Sequence, residues 1–382
     1  MTDRILMPGM PMQSMQPEQF SLEYMDSRAR EEREAVEREL ERYLTVQKSR
    51  VRVFGIGGGG NNTLARMKEI GITGAEMIAV NTDAQDLLYT NADRKILIGK
   101  ELTFGLGAGS DPKIGEQAAK ESENDIKKAL QGASMCFITC GLGGGTGTGA
   151  APVIADLARK AGVLTIAVVT LPFSIEGNRR IENAMLGLDK LEAAVNTLIV
   201  IPNDKLLELA PDLPLQTAFK VADEILTNAV KGITELITQP GLVNLDFADI
   251  KAIMSNGGIS LISVGESDGS KTRAKEAVEK ALINPLLDVK VEGAAGALVN
   301  IKGGKDMTLE EAHEIIDVVN SKLKEEANLI WGASMSEDMD KTIRVMLIMT
   351  GVESPQIFGD RGTREMKEKK KLQEELGIEF ME

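Results

Sequence analysis

The sequence predicts an α/β protein: a doubly wound, mostly parallel sheet, then a long central helix, then a second, smaller α+β domain with a mixed sheet. Three observations predict it. Glycine-rich loops join a short apolar, β-branched run to a helical pattern twice, at 51–70 and at 134–161. Strand and helix patterns alternate through the same region. Residues 215–238 then carry apolar side chains at helical spacing over about 36 Å, roughly a domain diameter. That stripe is broad enough to pack against two bodies. The 382 residues are 43% hydrophobic and 27% charged, a globular composition with chain enough for two domains.

Charge and rare residues exclude several classes. A formal net charge of −14 argues against a nucleic-acid-binding face, which must be basic. It leaves nucleotide binding open, because backbone N–H groups and a cation neutralise phosphates locally. Cys136 and Cys140 lie four apart on a predicted strand, too far for a disulfide, and read as buried thiols in a reducing compartment. A single histidine, His313, gives no zinc pattern. No signal peptide is visible, and the longest apolar stretch, 163–171, is too short to span a bilayer. The expectation is a soluble, cytoplasmic protein.

Taken in order, residues 1–48 form an N-terminal extension. Pro8, Pro11 and Pro17 predict a disordered start, and Leu22, Met25, Ala29, Val36, Leu40 and Leu44 a solvated amphipathic helix. The nucleotide domain is expected over 49–214. It opens with strand 51–56, then Gly55-Ile56-Gly57-Gly58-Gly59-Gly60, then a helix over 61–70. This satisfies Gly-x-Gly-x-x-Gly and alone supports a dinucleotide fold, with Asp83 placed as a ribose-binding acid. An NAD(P)-dependent oxidoreductase is therefore one reading. A second, richer glycine loop weighs against it, since a dinucleotide fold needs one. Strands 75–80 and 95–98 follow, then Gly105–Ser110, a flexible connector or a further phosphate contact. Helix 113–130, strand 134–140, helix 152–161 and strand 163–170 continue the alternation. Glu176 and Arg180 then stand four apart: an i,i+4 surface pair, or a pair at the carboxyl edge of the sheet where ligands bind. Strand 196–201 closes the domain.

The second glycine loop, Gly141–Gly149, holds six glycines in nine positions. A tight turn needs one or two. Glycines let a backbone turn its N–H groups inward at a helix N-terminus, where the partial charge is positive, and Thr146 and Thr148 add hydroxyls. The ligand this suits is a di- or triphosphate. No Gly-x4-Gly-Lys-Ser/Thr string occurs, so the site is not a Walker loop.

The central helix is expected over 215–239 and is stopped by Gln239-Pro240-Gly241. A second domain is expected over 240–353. It opens with Asn244, Asp246 and Asp249 bracketing apolar residues near a helix start, as caps or as something more. Strands 258–265, 296–301, 328–331 and 342–351 alternate with helices 271–282 and 309–323, predicting a mixed sheet with helices on one face. Residues 354–382 form a basic tail carrying Arg361, Arg364, Lys367 and Lys369–Lys371.

The run Gly141–Gly149 resembles the signature of the tubulin and FtsZ superfamily of GTPases. From about Val51 to Gly351 the chain is similar to the FtsZ family throughout. Gly57–Asn62, Asn81-Thr82-Asp83, Gly105–Ser110, Glu176 with Arg180, Phe219 with Asp223, and Asn244–Asp249 all match. Asn61 stands where bacterial members usually carry glycine and is more like the archaeal form. Gly377-Ile378-Glu379-Phe380 does not match the bacterial adaptor-binding peptide, so a membrane adaptor is implied without an identity.

The resemblance implies GTP or GDP as ligand, with Mg2+ held mainly by its phosphates. Gly58, Gly59, Gly60, Asn61, Asn62, Asn81, Ala108, Gly109, Gly144, Gly145, Thr146 and Gly147 would hold phosphates and ribose. Glu176 and Arg180 would contact ribose and base, Phe219 would stack on guanine, and Asp223 would accept its N–H groups. Asp246, Asp249 and Asn244 would serve the neighbouring subunit's nucleotide in a head-to-tail homopolymer. The implied protein is an assembly-activated GTPase of the midcell division ring, with no nucleic-acid partner. A nucleotide-binding scaffold without turnover is the non-catalytic alternative.

Overall fold

The structure, a computed structural model, describes residues 51–205, 214–238, 247–255, 257–269, 272–283 and 294–352. The N-terminal extension, the basic tail, and Asn244 and Asp246 lie outside the described residues. The strands are β1 (Val51–Ile56), β2 (Ala75–Asn81), β3 (Arg94–Leu97), β4 (Met135–Gly141), β5 (Leu164–Leu171), β6 (Thr197–Pro202), β7 (Gly258–Ser267), β8 (Ala294–Gly303), β9 (Leu323–Met335) and β10 (Ile343–Thr350). The helices are α1 (Gly57–Glu69), α2 (Ala84–Tyr89), α3 (Lys100–Thr103), α4 (Pro112–Glu121), α5 (Glu123–Leu130), α6 (Thr146–Lys160), α7 (Asn178–Ala194), α8 (Leu215–Thr238), α9 (Phe247–Met254), α10 (Arg273–Leu282) and α11 (Leu309–Asn320).

Six parallel strands run in the order β3-β2-β1-β4-β5-β6. Every residue of β1 is buried, as expected for a parallel strand covered on both faces. The chain builds outward from β1 to β3, then returns to lay β4 on β1's other side. The point where that order reverses lies between β1 and β4, and a crevice opens there at the carboxyl ends of the strands. Both glycine loops emerge from those two strands.

The second half does not make a separate sheet. β7 pairs in parallel with β6 over Thr197–Gly258, Leu198–Ile259 and Ile199–Ser260, and the ladder continues as β7-β10-β8-β9. β10 is antiparallel to β7 and β8, and β8 is parallel to β9. A side-chain bond secures the junction: Thr197 Oγ1 donates to the Met254 carbonyl at 2.6 Å. α8 lies across one face of the joined sheet. Its Leu226, Val230 and Ile233 share one core layer with Ile166 and Val168 of the first half and Leu298 and Ile348 of the second. At Gly232 a Cβ would stand 2.1 Å from Met346 Sδ, so helix and sheet meet closely there.

Some boundaries differ from the expected ones. The helix expected over 113–130 breaks at Ser122, whose hydroxyl accepts from the Gly99 N–H at 3.1 Å. The strand expected over 328–331 runs from Leu323 to Met335, because Lys324, Glu325 and Glu326 are tolerated on an edge strand. The two glycine-loop helices begin earlier than expected, at Gly57 and Thr146 rather than at 61 and 152.

Candidate functional site

Those early starts build the site. α1 and α6 have no side-chain cap on their first N–H groups and no acid in their first turn. Three other helices are capped by side chains: Asp83 accepts from the Gln85 and Asp86 N–H groups, Asp111 from Lys113, and Thr308 from Glu311. The starts of α3, α5, α7 and α10 also lack a side-chain cap, so what sets α1 and α6 apart is the cleft they share. A helix N-terminus without a cap presents orphan donors and a partial positive charge. Two such ends face one cleft of about 370 Å3, lined by Gly57–Gly59 and Gly144–Gly147.

Close packing explains the glycines. Gly57 takes φ +70°, and a Cβ on it would lie 2.9 Å from the Gly147 nitrogen. A Cβ on Gly145 would lie 2.8 Å from Ala108 Cβ and 2.9 Å from the Asp111 nitrogen. Gly145 itself is helical, at φ −83°, so what it requires is space rather than a left-handed backbone. The loop is folded from within: Thr148 Oγ1 accepts from the Gly143 N–H at 2.9 Å, and the Thr82 and Thr146 hydroxyls meet at 2.6 Å.

The opposite wall comes from α8 and the segment after β5. Phe219 is 41% exposed at the cleft, and its ring meets the buried Phe173 edge-to-face at 5.1 Å. One turn on, Asp223 Oδ1 accepts from Thr63 Oγ1 at 2.8 Å. Burial pushes the Asp223 carboxyl above its ordinary range, against the opposing pull of Thr63 and the Arg66 charge. Glu176 Oε1 accepts from the Phe173 N–H at 2.9 Å, while its other oxygen pairs with Arg180. This pair both shapes the turn before α7 and lines the cleft.

The cleft thus brings together Gly58, Gly59, Asn62, Gly144, Gly145, Thr146, Gly147, Glu176, Arg180, Phe219 and Asp223. Gly60, Asn61, Asn81, Ala108 and Gly109 stand outside its lining. Gly60 packs on β4, where a Cβ would meet the Thr139 carbonyl at 2.3 Å. Asn61 and Asn81 both donate to Asp86 Oδ2, at 3.1 and 2.6 Å, tying α1 and β2 to α2. Ala108 backs Gly145, and Gly109 turns the same segment at φ +56°. Asp83, the ribose acid of the dinucleotide reading, is spent as the cap of α2. Asp249 is exposed in the first turn of α9 and does not line this cleft.

Sequence reasoning missed Asn203, Thr170 and Thr63. Asn203 is 4% exposed, lines the cleft, and keeps a buried Oδ1 with no hydrogen-bond partner. Its signal was position: it directly follows β6, at the carboxyl edge that carries the rest of the site.

Comparison with known proteins decides between the readings. Residues 50–211 match the model of the Tubulin/FtsZ family, GTPase domain, and residues 258–353 that of the FtsZ family, C-terminal domain. The chain belongs to the FtsZ family. That is the family of tubulin-like cell-division GTPases, and the oxidoreductase reading has no support. Cell division protein FtsZ 1 of Methanocaldococcus jannaschii is 57% identical over 331 residues, covering 87% of this chain and 91% of the relative. Its counterpart from Pyrococcus horikoshii is 61% identical over 320 residues, 84% of this chain and 86% of the relative. A solved, empty FtsZ dimer from M. jannaschii superposes with a TM-score of 0.77 at 58% identity, covering 82% of this chain and 92% of that one. GDP-bound CetZ1 from Haloferax volcanii shares the fold at 22% identity, with a TM-score of 0.70 over 81% of this chain and 96% of that one.

Proposed function

We propose that the cleft binds GTP and GDP, and that hydrolysis is completed by the Asn244–Asp249 loop of a head-to-tail neighbour. The observation that carries the nucleotide assignment is the pair of uncapped helix N-termini facing one cleft with Phe219 and Asp223 opposite. The phosphates take the orphan N–H groups of α1 and α6. Guanine stacks on Phe219 and gives its N1–H and N2–H donors to the Asp223 carboxylate; adenine offers no such pair. Asn203 Oδ1 takes a further donor of the ligand.

Topology supports a shared active site. α9 leads into β7, and the first residues of β7 pair with the first residues of β6, on the sheet edge opposite the cleft. Asp249 lies five residues before Met254, about 7.5 Å along a helix. This supports Asp249 as a group that serves another molecule's nucleotide, with Asn244 and Asp246 of the same loop. A carboxylate supplied this way orients and polarises the attacking water, the dominant need in phosphoryl transfer. Head-to-tail contacts of this kind do not close and give filaments. These would form the cytoplasmic division ring at midcell, held to the membrane by an adaptor.

Among the described residues no group of three His, Cys, Asp or Glu could hold a metal ion. Mg2+ would travel on the nucleotide's phosphates. Asp246→Ala tests the reading: GTP binding should stay near normal while hydrolysis falls by orders of magnitude. Loss of GTP binding in this variant, or undiminished turnover, would overturn the shared site.

A further inference from the structure

β9 is the outermost strand of its side of the sheet. It pairs with β8 through Asn328–Met335, and among the described residues no strand covers its other edge. A thirteen-residue strand with open N–H and C=O groups invites another strand. Beside it lies an apolar groove of about 490 Å3, lined by Leu309, Ala312, His313 and Ile316 of α11 and by Trp331 of β9. Leu309 is 81% exposed at its mouth. Neither the groove nor the edge has a part in the nucleotide cleft.

The chain carries a segment suited to both. In Leu376-Gly377-Ile378-Glu379-Phe380 the apolar residues alternate, the period of a half-buried strand. The run Lys367–Lys371 before it holds four lysines and one acid, and α11 exposes Glu310, Glu314 and Asp317 around the groove. Reach is ample. From β10, the last described strand, the free edge of β9 is three strand spacings away, about 15 Å. Residues 353–371 span that several times over when extended, at about 3.3 Å each.

We propose that Leu376–Phe380 docks on its own chain as an added strand along β9, seating Leu376, Ile378 and Phe380 over Trp331 while the lysine run meets the acids of α11. The tail then closes a sheet edge that would otherwise recruit other chains.

Trp331 is the only tryptophan of the chain, so its emission reads the groove directly. In the full-length protein, without nucleotide, Trp331 should be shielded from acrylamide, and equally so on dilution. The double variant Ile378→Glu, Phe380→Glu should shift its emission to the red and raise quenching. A synthetic peptide of residues 371–382 should reverse both effects in that variant, and a scrambled peptide should not. Leu309→Glu should expose Trp331 with the tail intact. Emission and quenching unchanged by the tail substitutions would overturn the proposal. So would shielding lost on dilution, which would make a second copy the occupant.

Discussion

Asp223 sits half-buried one turn after Phe219 on α8, and burial lifts its carboxyl above the usual range. In the proposed reading, guanine's two donors need both Asp223 oxygens as acceptors, which the carboxylate offers and the protonated group does not, so Asp223 must lose its proton before the base is read. The sign follows. Guanine-nucleotide affinity is full above the raised pKa of the free protein and falls as pH drops through it. Asp223→Asn keeps the shape and removes the titration. Its GDP affinity should drop by about 1.5–3 kcal/mol, roughly 10–100-fold, since a charged hydrogen-bond pair is lost. Calorimetric titration of both proteins across pH checks this, because the nucleotide's own phosphate titration is common to them. Equal pH slopes would remove Asp223 from base recognition. Phe219 and Asp223 were legible in the sequence through a motif on a recognisable helix. Asn203 was not, because a lone asparagine after a strand has no pattern until the sheet shows which edge it occupies.

At the scale of elements, the glycine loops are legible in the sequence, but the sequence pattern starts their helices four to six residues later than the structure does. In the sequence pattern those helices start at Asn61 and Pro152. In the structure both lie inside helices whose first turns are the glycines themselves. Glycine costs helix stability, so a glycine-rich first turn reads as loop unless something requires closeness. Here Gly145 has Ala108 and Asp111 against it, and Gly57 has Gly147. Gly145→Val should therefore displace the start of α6 from the 105–111 segment. Binding of GTP and GDP should be lost together, while overpacking lowers stability by only about 1–3 kcal/mol. A thermal melt and nucleotide titration on one preparation measure both, and retained binding would show that this backbone does not hold phosphate.

For the whole molecule, the parallel sheet and the two glycine loops at the carboxyl ends of its strands were legible because strands and helices alternate with little else between them. The continuity of the sheet was not. It rests on three residue pairs between β6 and β7, strands separated by the long α8 segment, and local patterns do not report such a pairing. A shared active site, as proposed, predicts complementation between molecules. Asp246→Ala subunits would keep a nucleotide cleft, and Gly145→Val subunits would keep the proposed water-orienting loop. Mixed near the assembly threshold, they should recover part of the GTP turnover that each lacks alone. No recovery, with wild-type specific activity independent of protein concentration, would place the whole site within one chain.

The joined sheet has a mechanical consequence. The nucleotide cleft lies at the carboxyl ends of the strands, and α9 leads in from the opposite end, so the proposed head-to-tail stack would run along the strand direction. Ladder hydrogen bonds lie across the strands in the antiparallel part and slanted in the parallel part. Pulling such a filament would load these bonds in shear, many at once, instead of peeling them open one after another. Because β6 and β7 are stitched together, both halves of every subunit would share that load.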